Sequence, residues 1–186
     1  CVVIGDRSVG SGSLTGDHCT FVGHYSAYTA TTALRNTSLG SNSLAALTTG
    51  ADCVAIGYNA LGSNSTGDDN TAVGAYALDA ASGADGNVAI GYQALTDNTT
   101  GNYNIAIGHA ALDDNTASHD NVAVGTNTLS ALTTGSATNE GQNTAIGNNA
   151  LMNYTGKHAT AVGADALKAC TSGGDNVAVG RDALLI

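Results

Sequence analysis

The sequence predicts an all-β chain wound as a parallel β-solenoid of eleven coils of about 17 residues. Three observations lead there. One glycine recurs at a nearly constant step, β-branched residues alternate just before it, and turn-forming residues fill the space between copies. The glycines are Gly5, Gly23, Gly40, Gly57, Gly74, Gly91, Gly108, Gly125, Gly147, Gly163 and Gly180, at steps of 18, 17, 17, 17, 17, 17, 17, 22, 16 and 17 residues. So regular a step means one structural unit per repeat. Seventeen residues are too few for a two-helix repeat and suit one coil of short strands and turns.

Within a coil the elements follow in order. Val54 and Ile56, or Thr71 and Val73, stand at alternate positions before the glycine, which is the two-residue period of a strand. The glycine supplies a positive φ or a close backbone approach; Gly57, Gly74, Gly91, Gly108, Gly125, Gly147, Gly163 and Gly180 are its clearest copies. A second short strand ending in leucine is expected next, as in Tyr58-Asn59-Ala60-Leu61. Asn, Thr, Ser, Asp and Gly, as at 97–101, then form the turn into the following coil.

Equivalent residues of stacked coils lie about 4.8 Å apart, so each alignment column is a physical stripe. The position before the glycine is aliphatic in every coil, from Ile4 to Val179, and is expected to be buried. Two positions before it, eight of eleven residues are alanine, although this position points to the opposite face of the strand. Both faces of the strand therefore read as covered. A thin coil has one interior, so the second covered face calls for another chain or another layer. Four positions before the glycine stand Asn36, Asn70, Asn87, Asn104, Asn121, Asn143 and Asn176, an expected axial ladder of amides. The same column brings Cys1 and Cys19 onto neighbouring coils, where parallel Cβ vectors favour free thiols.

The column after the glycine varies without rule and marks solvent. Its Tyr58, Tyr92 and His109, joined by Tyr25 and Tyr76 from the next column, form a candidate contact strip for a glycan or a protein. Residues 1–50 hold divergent coils and 51–186 regular ones, with a loop insertion near 136–141 where the step lengthens to 22. That insertion carries Glu140, a further candidate contact residue.

Composition excludes several classes. Fifteen acidic residues against five basic ones give −10, the wrong sign for phosphate binding, so no nucleic-acid partner is expected. No apolar run approaches the roughly 20 residues of a membrane helix, and no direct membrane insertion is expected. The chain opens on Cys1 without a leader, as a segment of something longer would.

The repeated Asn-x-Ala-Ile-Gly-x-x-Ala-Leu of residues 87–95 and 104–112 resembles the head repeats of YadA-like trimeric autotransporter adhesins, and equally the repeats of phage tail fibres. The resemblance implies a left-handed β-roll, three chains around one axis, and an extracellular role in attachment on a bacterial surface or a virion. It covers the whole chain, more loosely before Cys53. Two departures stand out. The period is 17 where adhesin heads have coils of about 14, and Val3, Phe21 and Ser38 break the alanine column.

No chemistry of an enzyme is legible. His18, His24, His109, His119 and His158 fall at no zinc-ligand spacing, and no nucleophile elbow or phosphate loop occurs. No metal or other cofactor is expected. Aspartates such as Asp68, Asp85 and Asp113 gather in turns without the Gly-Gly-x-Gly-x-Asp pattern of calcium rolls. Two alternatives to a fibre segment stand beside it. An ice-binding solenoid would need outward threonine ranks, whereas Thr20, Thr37, Thr71, Thr144 and Thr160 read as buried. A non-catalytic spacer of a polysaccharide-cleaving tailspike is the other, no carboxylate pair being set up for cleavage.

Overall fold

A computed structural model of the chain describes residues 1–10, 14–133 and 141–185. Eleven three-residue strands follow one another, one per coil: β1 (Val2–Ile4), β2 (Thr20–Val22), β3 (Thr37–Leu39), β4 (Val54–Ile56), β5 (Thr71–Val73), β6 (Val88–Ile90), β7 (Ile105–Ile107), β8 (Val122–Val124), β9 (Thr144–Ile146), β10 (Thr160–Val162) and β11 (Val177–Val179). They form one parallel sheet in sequence order, with no helix among the described residues. Register is maintained down the columns, so that Ala72 pairs with Ala89 and Ala89 with Ala106. It also survives the 22-residue step, where Val122 pairs with Thr144. Most of the insertion, residues 134–140 with Glu140, lies outside the described residues.

Two expectations need correction. The segment after the glycine is no second strand. In the fourth coil Asn59 and Leu61 have φ of 55° and 51°, and left-handed residues at alternate positions fold the chain into consecutive turns. The backbone then bonds in both axial directions: Asn59 donates its N–H to Ser41 of the preceding coil at 3.1 Å, and Leu61 donates to Ala77 of the following one at 3.0 Å. A left-handed leucine costs about 1–2 kcal/mol. Burying its side chain contributes about 1.5–3 kcal/mol, which offsets that strain. Pattern reading missed this because nothing in leucine favours positive φ; the tertiary setting imposes it.

The second correction concerns which side of the strand faces in. The alanine column is the interior, with Ala55, Ala72, Ala89 and Ala106 fully buried. The aliphatic column beside the glycine points outward, and Ile56, Ile90, Ile107 and Ile146 are 37–41% exposed. The coil is too thin for two branched side chains across its width. Beside the strand each regular coil instead packs one strand alanine, one turn leucine and the small residue before that leucine, Ala89 with Ala94 and Leu95 and Ala106 with Ala111 and Leu112, all at zero exposure. A single chain therefore covers one face of its sheet, and the expectation that both faces are covered does not hold.

The early coils obey the same volume rule by other means. The second coil carries Phe21 in the alanine column and Ala27 in the leucine column, both fully buried. The first carries Val3 and Val9 at those positions. Large-with-small conserves the filling of a layer that packs at crystal-like density, whereas in the first coil Val3 is 44% exposed. In the third coil Ser38 takes the alanine place, and its hydroxyl lies 2.8 Å from that of Ser26 and also bonds Ser43.

The anchor glycine is set by space as well as by φ. At Gly57 φ is 134°, and a Cβ there would sit 2.5 Å from the carbonyl oxygen of Gly74 in the next coil. No residue with a side chain fits while the coils keep their spacing. The last copy, Gly180, has no following coil against it.

Candidate functional site

The turn that follows each glycine places its first two residues on the surface, and on coils four to seven these columns hold rings. Tyr58 meets Tyr76 edge-on with centroids 5.3 Å apart, Tyr76 meets Tyr92 edge-on at 6.1 Å, and Tyr92 stacks on His109 at 5.5 Å with 21° between planes. Four candidate contact residues thus form one axial strip. Tyr58 and Tyr92 are 46% and 48% exposed. Partial burial, then Tyr58, pushes the Tyr76 phenol above its usual range.

Tyr25 does not join them. The third coil carries Ser41 and Asn42 at these positions, so the strip is interrupted. Tyr25 belongs to a separate group with His24 at 4.3 Å and Tyr28 at 4.8 Å. Arg7, one coil earlier, lies over the Tyr25 ring at 5.6 Å and donates a hydrogen bond to its hydroxyl.

Carboxylates lie beside the ring strip. Asp79 is held by the Asn59 amide, and partial burial raises its pKa. Burial, the adjacent Asp114 and Asp97 of the preceding coil together push Asp113 up to about 6, while His109 works in the opposite direction. Among the described residues no group of three or more His, Cys, Asp or Glu side chains is placed to hold a metal ion.

The asparagine column lies fully buried from Asn36 to Asn143. In its regular stretch each Oδ1 accepts two bonds from the next coil. Asn87 Oδ1 takes the Asn104 backbone N–H at 2.9 Å and its Nδ2 at 3.2 Å, while Asn104 Nδ2 also donates to the Ser118 carbonyl at 2.8 Å. Asn70, Asn121 and Asn143 continue this row. The row ends at Ala159, whose N–H donates to Asn143 Oδ1 at 2.9 Å, so Asn176 stands beyond a gap. Cys53 occupies the column in coil four, and burial pushes its thiol up to about 11. All four cysteines are free thiols.

Two further rows escaped the column reading. Asn64, Asn98 and Asn115 each close a turn with the residue three places on, as in Asn98, whose Nδ2 donates to the Gly101 carbonyl at 2.8 Å and whose Oδ1 accepts the Gly101 N–H at 3.0 Å. The Asn-x-x-Gly spacing at 64–67 and 98–101 was the signal for them. On the surface, Asp68, Asp85, Asn102 and His119 each accept a backbone N–H from the preceding coil at 2.8–3.0 Å. The turn aspartates Asp68 and Asp85 are thus occupied in stacking. No buried side-chain nitrogen or oxygen among the described residues lacks a hydrogen-bond partner.

The other surface is the outer face of the sheet. Its two columns hold only Val, Ile, Leu and Thr, and none of these residues is buried. Thr20, Thr37, Thr71, Thr144 and Thr160 lie on this face, which overturns their reading as buried. No helix among the described residues is long and apolar enough to cross a membrane. Compared with family models, characterised proteins and solved structures, the chain has no match.

Proposed function

We infer that the chain is a non-catalytic segment of a homotrimeric extracellular fibre, a left-handed β-roll of eleven coils that gives reach and attachment at a bacterial surface or on a virion. Its partners are two sister chains and a host-cell glycan or protein. The observation that carries this is the outer sheet face. It runs the length of the solenoid without a charge, and Ile90, Ile105 and Ile107 on its central coils are 37–38% exposed. Eleven coils at about 4.8 Å make a strip of about 50 Å. Its twenty-two branched side chains expose on the order of 1,000 Å², more than the few hundred a monomer carries and near the ~800 Å² per partner of a stable interface. The strip is only three residues wide, a shape that suits three such strips converging on an axis. The repeats' resemblance to trimeric adhesin and tail-fibre segments points the same way.

Sedimentation equilibrium with light scattering tests the assembly. The expected mass is three chains, and Ile90→Lys with Ile107→Lys is expected to reduce it to one. A stable wild-type monomer at micromolar concentration overturns the reading. A second reading draws support from the outward threonines, since a flat β-face with ordered hydroxyls is what an ice-binding solenoid presents. The companion column, Ile4 to Val179, contains no threonine at all, which weakens that match. Thermal hysteresis above that of an inert protein at equal concentration would favour it over the fibre.

A further inference from the structure

We propose that the ring strip of coils four to seven, with the carboxylates beside it, is a docking surface for a cationic peptide segment rich in arginine or lysine. Three observations on different levels carry this. The first is where the charge lies. Residues 36–156 hold ten acidic side chains and no basic one, which is the chain's whole net charge of −10, while the remaining residues hold five of each. Coils four to seven sit inside that stretch.

The second is the arrangement of the surface there. Tyr58, Tyr76, Tyr92 and His109 make an unbroken row. Asp79, Asp97, Asp113 and Asp114 occupy the following turn positions of coils five to seven. Burial is the main cause of the raised Tyr76 and Asp113 ionisations; Tyr58 and, least, Asp79 add to the first, and Asp114 and Asp97 to the second. Among the described residues no lysine or arginine pairs with these carboxylates, so their mutual repulsion stands until a partner supplies the opposite charge. Aromatic faces and edges beside carboxylates form a setting that a guanidinium or ammonium can use twice, through the ring quadrupole and through charge-assisted hydrogen bonds.

The third is a precedent inside the molecule. On coils one and two, in the same surface columns, Arg7 lies over the Tyr25 ring at 5.6 Å and bonds its hydroxyl. The column geometry therefore admits a guanidinium against a ring one coil away. Tyr76 stands in the column of Tyr25, and its ring neighbours are Tyr58 and Tyr92 rather than an arginine. A neutral glycan would use the rings but has no need of the carboxylates of Asp79, Asp97, Asp113 and Asp114.

This surface rests on the fibre reading in one respect, because it must stay outside the assembly when the outer sheet face is covered. The test uses the wild-type assembly, its mass measured in the same sample, titrated into labelled hexa-arginine and followed by fluorescence anisotropy. Hexaglutamate and a neutral oligosaccharide serve as controls. Binding is expected for hexa-arginine alone, weakening as salt rises toward physiological strength. Tyr92→Ala is expected to weaken it about three- to tenfold. The triple change Asp97→Asn, Asp113→Asn and Asp114→Asn is expected to weaken it by at least as much. Tyr58→Leu, which keeps an apolar side chain, serves as a second ring variant should Tyr92→Ala disturb stacking.

Absence of hexa-arginine binding by a sample of trimeric mass overturns this proposal and leaves the fibre standing. Loss with the asparagine variants but not with either ring variant also overturns it, since that is unselective charge attraction. Oligosaccharide binding insensitive to the asparagine changes overturns it in favour of a glycan. A monomeric sample that binds the peptide with the expected variant pattern overturns the assembly alone.

Discussion

Exchanging Phe21 and Ala27 tests the rule by which each coil fills its interior. Both side chains are at zero exposure, and they occupy the places that Ala89 and Leu95 hold in a regular coil. Phe21→Ala alone removes a benzyl group from a sealed layer and is expected to cost about 3–5 kcal/mol, transfer and cavity together. Ala27→Leu alone forces a branched side chain into a layer already filled by the ring and is expected to cost about 1–3 kcal/mol. Independent sites would bring the double variant to roughly 4–8 kcal/mol, the sum of those costs. A shared layer instead restores the Ala-with-Leu filling of the regular coils, and the double variant is expected within about 1.5 kcal/mol of wild type. The leucine adds no backbone strain, since Ala27 already has φ of 49°. Urea unfolding followed by far-ultraviolet circular dichroism, at one fixed protomer concentration, gives the three differences and their coupling. Additive single costs, with no recovery in the double variant, would refute the idea that strand and turn side chains trade volume within a coil.

Three further outcomes are expected. Gly91→Ala places a methyl group against the Gly108 carbonyl at φ of 137°, and is expected to lower the unfolding free energy in the same urea assay by about 3 kcal/mol. Asn104→Ala leaves the Ser118 and Asn87 acceptors and the Asn121 donors short of partners, for an expected loss of about 2–4 kcal/mol in the same assay. Asp113 has a folded pKa of about 6, above its ordinary value, so between roughly pH 4 and 6 the folded state binds more protons than the unfolded one. Stability contributed by this group is therefore lost as pH rises through that window. The expected loss is about 1 kcal/mol after discounting for its partial exposure. Asp113→Asn should flatten the pH profile of thermal midpoint, and an unchanged slope would show that another group titrates there.

The repeat, its register and the eleven strand positions were legible in the sequence because a period is a property of order alone. Glycines at Gly57 to Gly125 recur every 17 residues, and any stacked structure must bring them together. The amide column was legible for the same reason, since asparagine repeated at one position has its nearest like neighbour one coil away. The choice of inside and outside was not. Alternation separates Ala89 from Val88 and Ile90 but does not say which side is covered. The larger apolar residues were the natural guess for the core.

The tertiary structure decided that point through thickness. A turn leucine with positive φ reaches across the coil, and only alanine leaves room for it from the strand. The isoleucines and valines are then left facing out. The ring strip shows the same division. Spacing put Tyr58, Tyr92 and His109 in one column, but the tight turns bring Tyr76 from the next column into line between them, while Ser41 and Asn42 of the third coil leave Tyr25 outside. Sequence determined which residues recur, whereas the volume available inside one closed coil determined which of them face water.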